Sequence, residues 1–192
     1  CTRGATHLTM EVSSIALSYK RVDGVRFRVA ALTNLSQDHL DFHGDMDSYA
    51  AAKARLFFEL DPSVSVLNLG DGFGRTLAKD ARLGRAVTYA ASGDSGADVV
   101  PRRVGATCRG IGVEVGPPWG RVAIESRVLG AHNVENLLCA ATIGLCLELA
   151  PEDVGALLSR EVSVPGRLER CDDPALDEIA VLVDYAHTPD AL

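Results

Sequence analysis

The sequence predicts an α/β fold: a mostly parallel sheet flanked by helices, with a small antiparallel β portion. Three observations carry this. Residues 28–33, 64–68 and 86–90 are short, nearly continuous apolar runs, the pattern of strands buried on both faces. Stretches with helical caps separate them, as crossover units require. Beyond Asp98 the pattern changes to short β-like pieces broken by Gly110, Gly112, Gly116, Pro117, Pro118 and Gly120.

In chain order, residues 7–13 read as a buried strand, with Ser13 and Ser14 suited to cap a short helix. Residues 28–33 form the next strand. Asp45 or Asp47 caps a helix over 46–60 that Pro62 ends. Tyr49, Lys53 and Phe57 are spaced four apart and share a face of it. A strand at 64–68, a glycine-rich turn with a helix to about 81, and a strand at 86–90 follow. Residues 108–115 and 121–128 read as hairpin strands, and 130–133 open a helix running to about 149. Pro151 is placed for the first position of another helix, with Glu152 and Asp153 in its first turn. Residues 164–167 form a turn. A strand at 179–183 ends in Asp184, after a domain boundary near Pro174.

Composition narrows the function classes. Hydrophobic residues make up 47% of the 192, enough for a sizeable core. A net charge of -7 argues against a nucleic-acid partner. No window is apolar for long enough to span a bilayer, so no membrane partner is expected. The five cysteines show no CxxC pair and no zinc spacing, which suits a reducing, cytoplasmic setting. Cys1 stands where methionine would begin a chain and the last residues stop as a helix starts, so the sequence reads as a piece of a longer protein.

The densest chemistry lies between Thr33 and Phe58. Asp38, His39, Asp41 and His43 fall within six residues, and Lys53 follows on a helix. Upstream, Glu11 sits in an apolar and hydroxylic run, where a buried carboxylate would need a cation. Glu11 and His39 both fall at the C-terminal ends of expected strands, the edge where open α/β sheets bind ligands. A hard cation such as Mg²⁺ takes carboxylate, phosphate and water oxygens there. Taken singly, His39 also fits a capping histidine and Lys53 a solvated helix lysine. The segment 130–136 puts His132, Asn133 and Asn136 at a helix start, a place for anions and polar rings or simply a cap. The run 70–74 fits a glycine-rich phosphate loop only loosely.

Five runs in order resemble the ATP-dependent Mur ligases of peptidoglycan synthesis, of the MurE type. They are MEVSS (10–14), TNLSQDHLDFHGDMDSYAAAKARLF (33–57), GAHNVENLLCA (130–140), VPGRLE (164–169) and VDYAHTPDAL (183–192). The resemblance implies the later part of a P-loop-type central ATP-binding domain over 1–173 and the start of a C-terminal domain over 174–192. It implies ATP and Mg²⁺ as cofactors, with Glu11, His39 and a carbamylated Lys53 as metal ligands and catalytic residues. Ser13 and Arg21 would contact the substrate, Asn133 would lie near adenine, Arg167 near the nucleotide and Asp184 at the ribose. His187 belongs to the last run without an assigned role.

The implied reaction adds the third amino acid to UDP-N-acetylmuramoyl-L-alanyl-D-glutamate through an acyl phosphate, in a cytoplasmic, monomeric enzyme. Ile15 stands where the family usually has a histidine, a departure that bears on one polar contact the resemblance implies near the substrate. The family's phosphate loop is expected upstream of Cys1, and the amino-acid-selecting part after Leu192. The piece alone is therefore expected not to turn over ATP. The alternatives are a non-catalytic structural relic and another Mur-type amide ligase, of the MurF or cyanophycin-synthetase kind.

Overall fold

The computed structural model describes residues 4–92, 96–116, 118–160, 164–172 and 179–186. The apolar runs form a parallel sheet of β1 (Val29–Leu32), β2 (Val64–Asn68) and β3 (Ala86–Tyr89), in that order. Val29 stands opposite Val64, and Ser65 opposite Ala86. Parallel neighbours need crossovers. Here α2 (Leu40–His43) and α3 (Met46–Phe58) link β1 to β2, and α4 (Gly72–Ala78) links β2 to β3.

The helices start where capping chemistry places them. The Ser13 hydroxyl accepts from the Ala16 amide at 3.1 Å and opens α1 (Ser14–Ser18). Asp45 caps α3 through Ser48, and Asp71 caps α4 through Gly74. Each cap satisfies an amide that the first helical turn leaves without a partner.

Strand alternation divides the core. Ala30, Leu32 and Leu67 pack with Leu17, Leu56, Phe57 and Leu77 from α1, α3 and α4. Val64, Val66, Val87 and Tyr89 face the other way, against α5 (His132–Cys146). On α5, Leu138 and Ala141 are fully buried. The same helix packs against a second, antiparallel sheet of β4 (Pro101–Thr107), β5 (Gly110–Val115) and β6 (Val122–Ser126). Ile111, Val113 and Val115 of β5 and Val122 and Ile124 of β6 point inward, while α6 (Pro151–Leu158) covers β6. A short antiparallel pair, β7 (Glu169–Arg170) and β8 (Leu182–Val183), completes the described chain.

Two expectations are corrected. Residues 7–13 form no strand: the segment finds no ladder partner among the described residues, and Leu8 and Met10 are exposed. Glu11 is therefore exposed, and the argument from burial does not apply to it. Second, β4 was not foreseen as a strand. Arg102, Arg103 and Gly105 hide it, because an edge strand exposed along nearly its whole length needs no apolar alternation. Smaller differences are at ends: α4 stops at Ala78, α5 at Cys146, and the last strand shrinks to two residues. The boundary near Pro174 lies outside the described residues, as does His187.

Candidate active site

The loop leaving β1 meets the start of α1 and the inner face of α3 around a cavity of about 390 Å³. Glu11, Ser13, Asn34, Asp38, His39 and Lys53 all line it. The three expected metal and catalytic residues, Glu11, His39 and Lys53, come from three separate segments and line one space at the C-terminal edge of the parallel sheet.

Lys53 reaches this space from the middle of α3, on the same face as the buried Tyr49 and Phe57. Its ammonium lies 5.3 Å from the centre of the Tyr49 ring and donates to the Asn34 carbonyl at 3.3 Å. Burial lowers its pKa from the ordinary lysine value; the carboxylates of Asp71, Asp38 and Glu11 oppose that shift. Burial, and secondarily the Asp38 charge, raises the Tyr49 phenol.

His39 occupies the N-cap position of α2 in the left-handed region, with φ 52°. That conformation is uncommon outside glycine, and such residues gather at functional sites. The Asp38 carboxylate holds it twice, accepting from its amide at 2.8 Å and lying 3.4 Å from Nε2. The Tyr49 ring meets its imidazole edge-on. His43, one turn on, stacks on the same Tyr49 ring and shares a 2.8 Å hydrogen bond with the buried Ser14 hydroxyl.

The segment from Thr33 to Leu35 is tied down by residues that the sequence reading did not single out. Asn68, 1% exposed at the end of β2, donates to the Thr33 carbonyl at 2.8 Å. Asp71 accepts from the Leu35 amide at 3.1 Å while its other oxygen caps α4. A buried asparagine at a parallel strand's C-terminal end was a readable signal, since it needs partners. Two glycines of 70–74 have a packing reason: a Cβ on Gly74 would come within 1.9 Å of the Asn68 carbonyl oxygen, and one on Gly70 within 2.9 Å of the Asn68 and Glu135 side-chain oxygens.

The remaining expected residues fall into a second group. The Asn133 amide donates to the Leu129 carbonyl at 2.6 Å and accepts from Asn136 at 2.8 Å, fixing the first turn of α5. Asp184 accepts from the Leu168 and Ala186 amides, both at 2.7 Å. These bonds, then the Arg167 and His132 charges, hold its carboxyl below the usual range. The Arg167 guanidinium lies over the Tyr185 ring at 5.3 Å. The Leu168 side chain packs at Gly130, just before α5, and so brings the Arg167–Asp184 segment next to the helix start that carries Asn133. Arg21 is not part of the cavity lining; its guanidinium lies over Tyr19. Ser13 lines the cavity, but its hydroxyl caps α1.

Among the described residues, no three His, Cys, Asp or Glu side chains form a metal-holding group. Glu11 and His39 give one carboxylate and one imidazole, too few for an all-protein cage. They suit a hard cation that keeps water and substrate oxygens in its shell. A carbamate on Lys53 would add the oxygen donor that its amine cannot.

A description of the Mur ligase middle domain matches residues 1–144. The UDP-N-acetylmuramoyl-L-alanyl-D-glutamate–2,6-diaminopimelate ligase of Geobacter metallireducens is 44% identical over 197 residues, covering 99% of this chain and 38% of its own. The ligase of the same name from Gloeobacter violaceus is 46% identical over 190 residues, covering 98% and 38%. This chain therefore spans well under half the length of these curated relatives. A solved diaminopimelate ligase of the same name superposes with a TM-score of 0.84 at 33% identity, over 99% of this chain and 39% of that one. MurF from Acinetobacter baumannii shares the fold, with a TM-score of 0.70 at 21% identity over 82% and 34%.

Proposed function

Because the chain belongs to the Mur ligase family, we propose that the whole protein is an ATP-dependent ligase of peptidoglycan precursor synthesis. Its substrate would be UDP-N-acetylmuramoyl-L-alanyl-D-glutamate, and the added amino acid 2,6-diaminopimelate, as the names of its relatives state for themselves. Residues 1–173 would be the later part of the central ATP-binding domain and 174–192 the start of the C-terminal one, in a monomeric cytoplasmic enzyme.

The observation that carries this reading is the single cavity lined by Glu11, His39 and Lys53, with a lysine of lowered basicity. A neutral amine is the form that attacks CO₂. The new N–C bond gives a carbamate as a proton leaves the nitrogen, turning Lys53 from a cation into an oxygen-bearing anion. Glu11, His39 and that carbamate would then hold Mg²⁺, which offsets the repulsion between phosphate oxygens and the attacking carboxylate.

The substrate carboxylate attacks the γ-phosphorus of ATP and releases ADP. The amine of the amino acid then adds to the acyl phosphate, and the tetrahedral intermediate expels phosphate as the amide forms. The residues present mainly position and stabilise charge. Ser13 and Arg21 would orient the dipeptide, Asn133 the adenine, Arg167 the nucleotide, and Asp184 the ribose hydroxyls through lone pairs that its two backbone bonds leave free.

The test is the full-length protein with ATP, Mg²⁺, the UDP-dipeptide and 2,6-diaminopimelate. Phosphate release that needs both acceptor and amine, matched by product formation, is expected. No turnover, or turnover unaffected by Lys53→Ala, would sink the reading.

A further inference from the structure

The two groups of site residues meet at one side chain. Asn68 is 1% exposed, and its carboxamide makes three hydrogen bonds to three different segments. Nδ2 donates to the Thr33 carbonyl at 2.8 Å, in the loop that leads to Asp38 and His39. The same nitrogen donates its second hydrogen to Glu135 Oε2 at 3.0 Å, in the first turn of α5. Oδ1 accepts from the Gly70 amide at 2.8 Å. The orientation of the amide is dictated, because the Gly70 N–H can only donate and the Thr33 carbonyl can only accept. Glu135 lies between Asn133 and Asn136 in that first turn, and a Cβ on Gly70 would fall 2.9 Å from its carboxylate. Asp71, three residues beyond Asn68, fastens the same loop at Leu35.

We propose that Asn68 and Glu135 are positioning residues that lock the Thr33–His39 loop to the start of α5, so that the cavity holding Lys53 and the group around Asn133 keep one relative placement. This deepens the proposed ligase reading and rests on it for its meaning in catalysis. The physical reason is pre-organisation. An acceptor carboxylate in the cavity and a nucleotide near α5 must meet at one reacting phosphorus, and an error of an ångström there slows such reactions greatly. A buried amide whose two N–H hydrogens and carbonyl oxygen are all engaged resists that error, since opening it leaves polar groups unpaired. Neither residue touches the reacting atoms in this scheme. Each acts through the loop or the helix that it holds.

The test uses the full-length protein and reads the tie apart from the chemistry. Hydrogen exchange at the Leu35 amide reports the loop, because its own partner, Asp71, is untouched by changes at Glu135. Glu135→Ala is expected to speed exchange at Leu35 by about tenfold, with amides of β5 and β6 unchanged. Glu135→Gln keeps an acceptor oxygen and is expected to restore protection. In the ligation assay, Glu135→Ala and Asn68→Ala should lower kcat by about tenfold or more, with a smaller change in KM for ATP, and Glu135→Gln should recover most of the rate. Unchanged exchange at Leu35, or an equal rise throughout the chain, overturns the proposal. So does a Glu135→Gln variant no better than Glu135→Ala. If the wild-type protein shows no ligation at all, the functional reading fails, and the exchange result still decides the tie.

Discussion

The C-terminal edge of the parallel sheet and the outer face of the antiparallel sheet are both rich in polar residues, and they handle them differently. On the outer face, charges pair with charges in water: Arg121 meets Glu114 at 3.0 Å, with the Arg121 side chain 74% exposed. At the parallel edge, Asn68, Asp71 and Lys53 bond to backbone groups of distant segments, the first two partly out of solvent. Exposed pairs contribute little to stability. Buried polar groups tied across the chain fix where a loop must lie. That difference, more than the number of charged residues, separates a candidate site from a solvated surface.

The largest effect expected is on chemistry. In the full-length protein, Lys53→Ala should reduce ligation by roughly 100- to 1,000-fold, whereas Arg121→Ala should leave it unchanged. A steady-state assay of both variants breaks the comparison if the two lose activity alike.

The same substitution in the two sheets comes next. Gly74→Ala forces a methyl against the Asn68 carbonyl oxygen, while Gly105→Ala on β4 meets nothing within 4 Å. Denaturant unfolding should show a loss of about 1–3 kcal/mol for the first and a change within about 0.5 kcal/mol for the second. Equal losses would mean that the parallel edge is no more tightly packed than the exposed strand.

A pH effect sharpens the contrast further. Burial lowers the Lys53 pKa in the folded state, so between that value and the ordinary lysine value the unfolded chain binds more protons. Stability contributed by this group therefore rises with pH across that window. The penalty is fully present at lower pH, where both states are protonated. In CO₂-free buffer, wild type should gain on Lys53→Met as pH rises towards about 10.4; a constant difference would show that the amine is not desolvated. The smallest effect is Glu114→Gln, which should cost less than about 1 kcal/mol and less still in high salt.

Much of the fold is legible locally. The apolar run Val64–Asn68 is read to the residue, and Ser13, Asp45 and Pro151 mark helix starts, because a cap acts within three or four residues of itself. The candidate cavity is legible in part. Lys53 could be placed on a face with Tyr49 and Phe57 by periodicity, and the five runs pointed to the family. β4 escaped because an exposed edge carries no apolar period, and the segment 7–13 misled because an apolar composition does not supply a strand with a neighbour.

The sequence alone determined the parallel α/β architecture, the helix starts and the chemical types gathered near Lys53. Only the tertiary structure decided that Glu11 is exposed, that Lys53 is half-buried, and that Asn68 joins Thr33 and Glu135 across separations of 35 and 67 residues. Periodicity and capping are short-range and survive in the order of residues. Desolvation and long-range hydrogen bonds exist only once the chain has excluded water around them.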